Sequence, residues 1–318
     1  MSELRAGVVG SGHMGRNHLR VLGELPGIVP ALAIDPQTPD PAVGVAWVPT
    51  IAEAAGRIDL AILAAPSALH EELGLQLVAQ RLPTLIEKPI ATDSAAGARL
   101  VRAFAEAGVA AAAGHIERFN PVVVALRAAL PLVGPVTHVG TTRAGPFPER
   151  AMPVGVVADL LVHDIDLACS LTSGEYAWVS AQAETRPERP CEDAVRVRGE
   201  LMLPEGRAVS LSHRADRISA DRVRLLQVIG ADGGLRADLI DQTLTHWWDT
   251  ADGPQTRILP VTPSQPLAGE LAAWRDVVRT GQPDPVLATL SDGLRAVRVA
   301  EAVLASAARG ATVTMEAA

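Results

Sequence analysis

Three groups of residues in this 318-residue chain have the types and spacing needed for chemistry. Gly10, Gly12 and Gly15 follow an apolar run at residues 6–9 and match G-x-G-x-x-G, with His13 and Met14 between the last two glycines. Such a turn lets the backbone approach a pair of phosphates at the N-terminus of the helix it opens. Lys88 stands in Glu87-Lys88-Pro89, and of the 28 basic residues it is the one Lys, the other 27 being Arg. Among so many Arg, a retained Lys suits a site that needs a compact ammonium able to exchange a proton, although drift would also leave one behind. Asp159 and His163 are four residues apart, which on a helix puts both on one face, either as a proton-transfer pair or as an ordinary surface pair.

The same counts exclude other chemistries. A Walker phosphate loop needs a Lys after its second Gly, and no Gly closely precedes Lys88. A Tyr-x-x-x-Lys pair is impossible, because the single Tyr, Tyr176, lies far downstream of Lys88. The formal net charge of -8 argues against a nucleic-acid partner. Every apolar run is cut by charge, Pro or Gly well short of a membrane span, and two cysteines without zinc-like spacing fit a reducing cytoplasm.

The elements that must position these groups follow from the hydrophobic pattern. Apolar runs at 6–9, 30–34, 59–64, 84–86 and 109–113 alternate with helical patterns at 14–22, 69–80 and 94–107, as in parallel strands joined by crossover helices. After a helix at 122–129, alternating segments at 136–143, 178–183, 194–203, 207–214, 222–229 and 234–239 predict antiparallel strands, and helices at 267–280 and 287–308 precede a last strand at 312–315. The expected fold class is α/β: a doubly wound Rossmann domain over 1–120, then an α+β domain over 121–318 with a large, mostly antiparallel open sheet.

In that frame Asp35 ends the second strand 20 residues after Gly15, where a carboxylate would bind the hydroxyls of an adenosine ribose. Pro36, Gln37 and Thr38 offer no cation for a 2′-phosphate, so NAD is expected rather than NADP. Pro66, Ser67 and His70, and then Glu87 and Lys88, lie at carboxyl ends of later strands, where open α/β sheets bind their ligands. For His70 alone, packing under the sheet is the stronger reading. A metal at His163, Asp164 and Asp166 is not expected, since consecutive helical residues point to different faces.

With the glycine loop, the Pro66 to His70 segment and Glu87-Lys88-Pro89 in that order, the chain resembles the glucose-fructose oxidoreductase, inositol dehydrogenase and rhizopine catabolism protein (Gfo/Idh/MocA) family over essentially its whole length. The residues 114–121, 143–150 and 159–166 are similar to the branch that includes UDP-N-acetylglucosamine 3-dehydrogenases. The resemblance implies a sugar or nucleotide-sugar substrate oxidised at a ring hydroxyl to a ketone, with Lys88 and His163 in proton transfer and Asp159 orienting them. Which of the two is the base stays open. It also implies homodimers or homotetramers through the second-domain sheet. Arg143 and Arg150 would suit a diphosphate, since guanidinium makes paired bonds to phosphate oxygens. Arg118 and Asn120 are candidates for the substrate side or for capping the domain junction. The competing readings are a free-sugar, cyclitol or other small-carbonyl dehydrogenase or reductase on the same frame, and a non-catalytic dinucleotide sensor.

Overall fold

The structure, a computed structural model, describes residues 3–38, 44–147, 154–187 and 189–315. The chain forms two compact units, Met1–Phe119 with Gln265–Val297, and Asn120–Ser264 with Arg298–Ala318. Residues 265–297, read from sequence as part of a contiguous second domain, thus belong to the first unit.

In the first unit β1 (Leu4–Val9), β2 (Ile28–Ile34), β3 (Trp47–Val48), β4 (Leu60–Leu63), β5 (Thr84–Glu87) and β6 (Ala111–Gly114) pair in parallel in the order β6-β5-β4-β1-β2-β3. All four residues of β4 are buried, as expected of a parallel strand covered on both faces. The helices α1 (His13–Leu22), α2 (His70–Ala79) and α3 (Ser94–Ala107) alternate with the strands. One core holds Leu77, Ile86, Leu100 and Phe104 together with Leu290, Leu294 and Val297. The other holds Leu19, Leu22, Leu60 and Leu85 with Leu267, Leu271 and Trp274. Residues 265–297 therefore supply apolar cover to both faces of the first sheet. The sheet does not close at β6: the two-residue strand Ala288–Thr289 adds antiparallel to it.

The second unit is built on β7 (Val136–Ala144), β8 (Glu175–Glu184), β9 (Ala194–Met202), β10 (Ala208–Asp216), β11 (Val223–Gly230), β12 (Gly233–Asp238), β13 (Thr243–Thr250) and β14 (Gly253–Leu259). Their order is β14-β13-β12-β11-β7-β10-β9-β8, with Val313–Thr314 pairing on β8. All of these pairs are antiparallel except β10 with β7. The β13–β14 hairpin is an addition to the sequence reading, although Thr-Leu-Thr-His does alternate exposed and buried positions. Val139, Val197, Leu211, Leu226 and Leu235 point to the buried face of the sheet. α4 (Pro121–Ala129) packs on β12 and β13, and α5 (Val162–Thr172) on β7. Within this core His213 joins Thr141 and Tyr176, its Nδ1 2.8 Å from Thr141 Oγ1 and its Nε2 2.8 Å from Tyr176 Oη. No helix among the described residues is long and apolar enough to cross a membrane.

Candidate active site

β1 runs into Gly10, whose φ of +94° places it in the region that favours glycine. A Cβ there would lie 2.7 Å from the Ala65 backbone, and one at Gly15 would collide with the Gly10 carbonyl oxygen. Beside Gly12 nothing lies within 4 Å of a Cβ position. The loop is closed against the sheet on one side and open on the other, where α1 begins without a side-chain cap. This is a cradle that fits a dinucleotide pyrophosphate, with the helix N-terminus directed at its charge.

Asp35 follows β2 and accepts from Ser11 N and Ser11 Oγ, both at 2.8 Å on Oδ2, and from Gln37 N at 2.9 Å on Oδ1. Burial alone would push its carboxyl up. The bonds from Ser11 and Gln37 outweigh that and hold it below the usual carboxylate range. An ionised Asp35 is thereby fixed beside the glycine loop. Trp47 braces the same turn, donating from Nε1 to Asp35 O at 2.8 Å.

Pro66 and Ser67 follow β4, where a 3-10 turn at Ser67–Leu69 leads into α2. His70 is buried, its Nε2 2.8 Å from Ala65 O and its Nδ1 3.0 Å from Pro89 O. Burial pulls its pKa down, against the pull of those carbonyls. A neutral imidazole carries one N–H, so His70 donates to one of these two carbonyls and packs against the other, between the turn after β4 and the segment after β5. Glu87 ends β5, Lys88 follows half-buried, and the Lys88–Pro89 bond is cis. Glu87 Oε2 accepts from Lys88 N at 3.2 Å, and Glu87 Oε1 lies 2.7 Å from His18 Nε2 in a buried pair. The sequence reading passed over His18; the signal was its place three residues after Gly15 on the sheet-facing side of α1.

In the second unit Asp159 lies in a π-helical turn, Val157–Leu161, and His163 in the α-helix that continues it. The four-residue spacing therefore crosses a change of helix type, and π-helical turns recur at functional sites. Glu192 holds the start of this turn, accepting from Val157 N at 2.9 Å, and Gly155 leaves the room its carboxylate fills. Arg217, 3% exposed, donates Nη2 to Asp159 Oδ2 at 3.3 Å and Nη1 to Val154 O at 3.1 Å. Arg143 is buried and places Nε and Nη2 on Asp164 Oδ1 at 3.1 and 3.0 Å. His163 is buried on the same helix, next to Asp164.

The remaining sequence candidates are placed as follows. Arg118, in the first unit, donates to Val286 O at 3.3 Å and pairs with Asp292 at 3.4 Å. Asn120, in the second, caps α4 by accepting from Val122 N at 3.2 Å and donates to Leu239 O at 3.1 Å. Arg150 lies outside the described residues. Arg217 and Glu192 were not anticipated, because only folding brings the residues after β10 and before β9 to the turn that carries Asp159.

Comparison with known proteins gives the family of the chain. Residues 4–115 match the model of an oxidoreductase family with an NAD-binding Rossmann fold, and residues 132–236 match a GFO/IDH/MocA C-terminal domain. The chain belongs to the Gfo/Idh/MocA family. It is 24% identical over 313 residues to a UDP-N-acetylglucosamine 3-dehydrogenase of Acidithiobacillus ferrooxidans, covering 96% of each chain. The solved structure of that enzyme superposes with a TM-score of 0.85. An inositol 2-dehydrogenase of Mycolicibacterium smegmatis is 27% identical over 343 residues, covering 99% of this chain and 97% of the relative. A levoglucosan dehydrogenase solved with NADH shares the fold at a TM-score of 0.88 and 17% identity, with 100% of each chain covered. As a Gfo/Idh/MocA member the chain is a nicotinamide-dependent oxidoreductase acting on CH–OH groups, with the fold class read from its sequence.

Proposed function

We propose that the substrate is a nucleotide sugar such as UDP-N-acetylglucosamine, oxidised at C3 to the ketone with NAD rather than NADP. The observation that carries this reading is the similarity to a UDP-N-acetylglucosamine 3-dehydrogenase over 96% of both chains. The ionised Asp35, followed by Pro36 and Gln37 and by no cation, favours NAD. When bound, the cofactor supplies the acceptor for the hydride that leaves the sugar carbon. The chain supplies the rest. Gly10, Gly12, His13, Met14 and Gly15 receive the pyrophosphate, Asp35 the ribose, and Pro66, Ser67 and Glu87 the nicotinamide side. Lys88 and His163 remove the hydroxyl proton and stabilise the charge that develops on oxygen, and Asp159, held by Arg217, orients the pair.

Arg143 is committed to Asp164, so we assign the sugar diphosphate to Arg150, with Arg118 and Asn120 on the substrate side. The protein assembles as a homodimer or homotetramer through the solvent face of the second sheet. That face carries a groove lined by Gln227, Arg236, Thr245 and Trp247. Trp248 points the other way and stacks on His246. The likeness to an inositol dehydrogenase supports one rival, a free cyclitol substrate.

Incubation with NAD and either UDP-N-acetylglucosamine or free inositol separates the two readings, using cofactor absorbance and mass spectrometry of the product. A UDP-sugar lighter by two hydrogens is expected, and oxidation of inositol alone would replace this reading with the rival. Lys88→Met should abolish turnover while NAD still binds.

A further inference from the structure

His18 forms a buried ionisable pair with Glu87, and nothing above uses His18. His18 is fully buried on α1, and its Nε2 lies 2.7 Å from Glu87 Oε1. Glu87 is buried at the end of β5, packed against Gly114, where a Cβ would stand only 3.2 Å from its carboxylate. A carboxylate in such a place is costly unless paired. Burial pushes the Glu87 carboxyl up, but the His18 bond and charge, with Lys88 beside it, bring it below its ordinary value. An ionised Glu87 has no proton to give, so His18 Nε2 donates. The second oxygen of the same carboxylate takes the Lys88 main-chain N–H at 3.2 Å. One buried link thus runs from the helix whose start forms the glycine cradle to the one lysine of the chain.

We propose that His18 is a positioning residue for Lys88: it fixes Glu87 as an oriented anion, which anchors the Lys88 backbone and keeps a negative charge next to the Lys88 side chain. This rests on the reading of Lys88 as a proton-transfer group. A plain structural strut between α1 and β5 would hold the fold equally well but would leave the chemistry of Lys88 unchanged. The charge of Glu87 is therefore the point at issue.

Because Lys88 is the single Lys, a lysine-selective acylating reagent followed by peptide mass mapping reads Lys88 separately from the chain's amino terminus. A neighbouring carboxylate favours the ammonium, which does not acylate, so loss of the Glu87 charge should speed labelling about tenfold at fixed pH. Glu87→Gln and His18→Leu should both show this increase, and the double variant should label no faster than either, since both remove one interaction. His18→Gln, which keeps an N–H in reach of Glu87, should label near the wild-type rate. NAD titration of the two His18 variants confirms the cradle. If His18→Leu does not fold, Glu87→Gln and His18→Gln decide. An unchanged labelling rate in Glu87→Gln, or a rate in His18→Gln as fast as in Glu87→Gln, would overturn the proposal. No substrate is involved, so near-normal turnover of Lys88→Met would sink the proton-transfer role of Lys88 without altering the labelling result.

Discussion

Acid should weaken the second unit from beneath its functional residues, at His213. Its ring is buried between Thr141 and Tyr176, on strands that continue to Arg143 and, two turns of the pleat on, to Arg217. Burial first, and the charge of His138 second, pull the pKa from 6.5 down to about 3. The unfolded chain binds a proton near 6.5 and the folded chain only near 3. The contribution of neutral His213 is therefore fully present above 6.5 and is lost progressively as pH falls toward 3. Between pH 8 and pH 5 the linkage relation gives a loss of about 2 kcal/mol, and below that about 1.4 kcal/mol for each further pH unit. His213→Gln keeps a polar group between the two hydroxyls and does not titrate. Urea unfolding of both proteins at pH 8 and pH 5 gives two drops in stability. His70, His138 and His246, also held down by burial, contribute to each. The drop in His213→Gln should be smaller by about 2 kcal/mol. Equal drops would refute the reasoning, since the buried imidazole would then not be the group whose protonation opposes folding.

Other perturbations test the sites directly. Gly15→Ala forces a Cβ onto the Gly10 carbonyl, so thermal melts should show a loss of about 1–3 kcal/mol together with weakened NAD binding. Asp35→Asn removes the ionised acceptor at the end of β2; calorimetry should show NAD affinity falling by on the order of tenfold or more, because hydrogen bonds to charged groups contribute about 1.5–3 kcal/mol. Arg217→Met releases Asp159: kcat should fall with NAD affinity retained, and combining it with Asp159→Asn should cost little beyond the larger single effect. Fully additive losses would show that Arg217 and Asp159 act separately.

Much of the first unit was legible because its signals are local. The glycine loop and the buried run of β4 both lie within a few residues of the elements they specify. The second sheet was legible where exposed and buried residues alternate, as in Ala194–Met202. β14 was not, because nearly every one of its residues is exposed and an edge strand without a buried face has no period to read. Helices read at 267–280 and 287–308 stand at Pro266–Thr280 and Leu290–Arg309, but helical periodicity does not say which sheet the apolar stripe will cover.

The candidate site divides in the same way. Lys88, Asp35 and the glycines could be singled out as candidates because residue type and spacing already limit what they can do. The partners that fix their state were found only in three dimensions. His18 reaches Glu87 across 69 residues, and Arg217 reaches Asp159 across 58. Sequence by itself determined which groups are available: a glycine loop, a carboxylate at the end of β2, one lysine amine and an Asp–His pair. Tertiary structure decided which carboxylates stay ionised and which histidines stay neutral. Burial and hydrogen bonding set those charges, and both depend on segments that meet only when the chain folds.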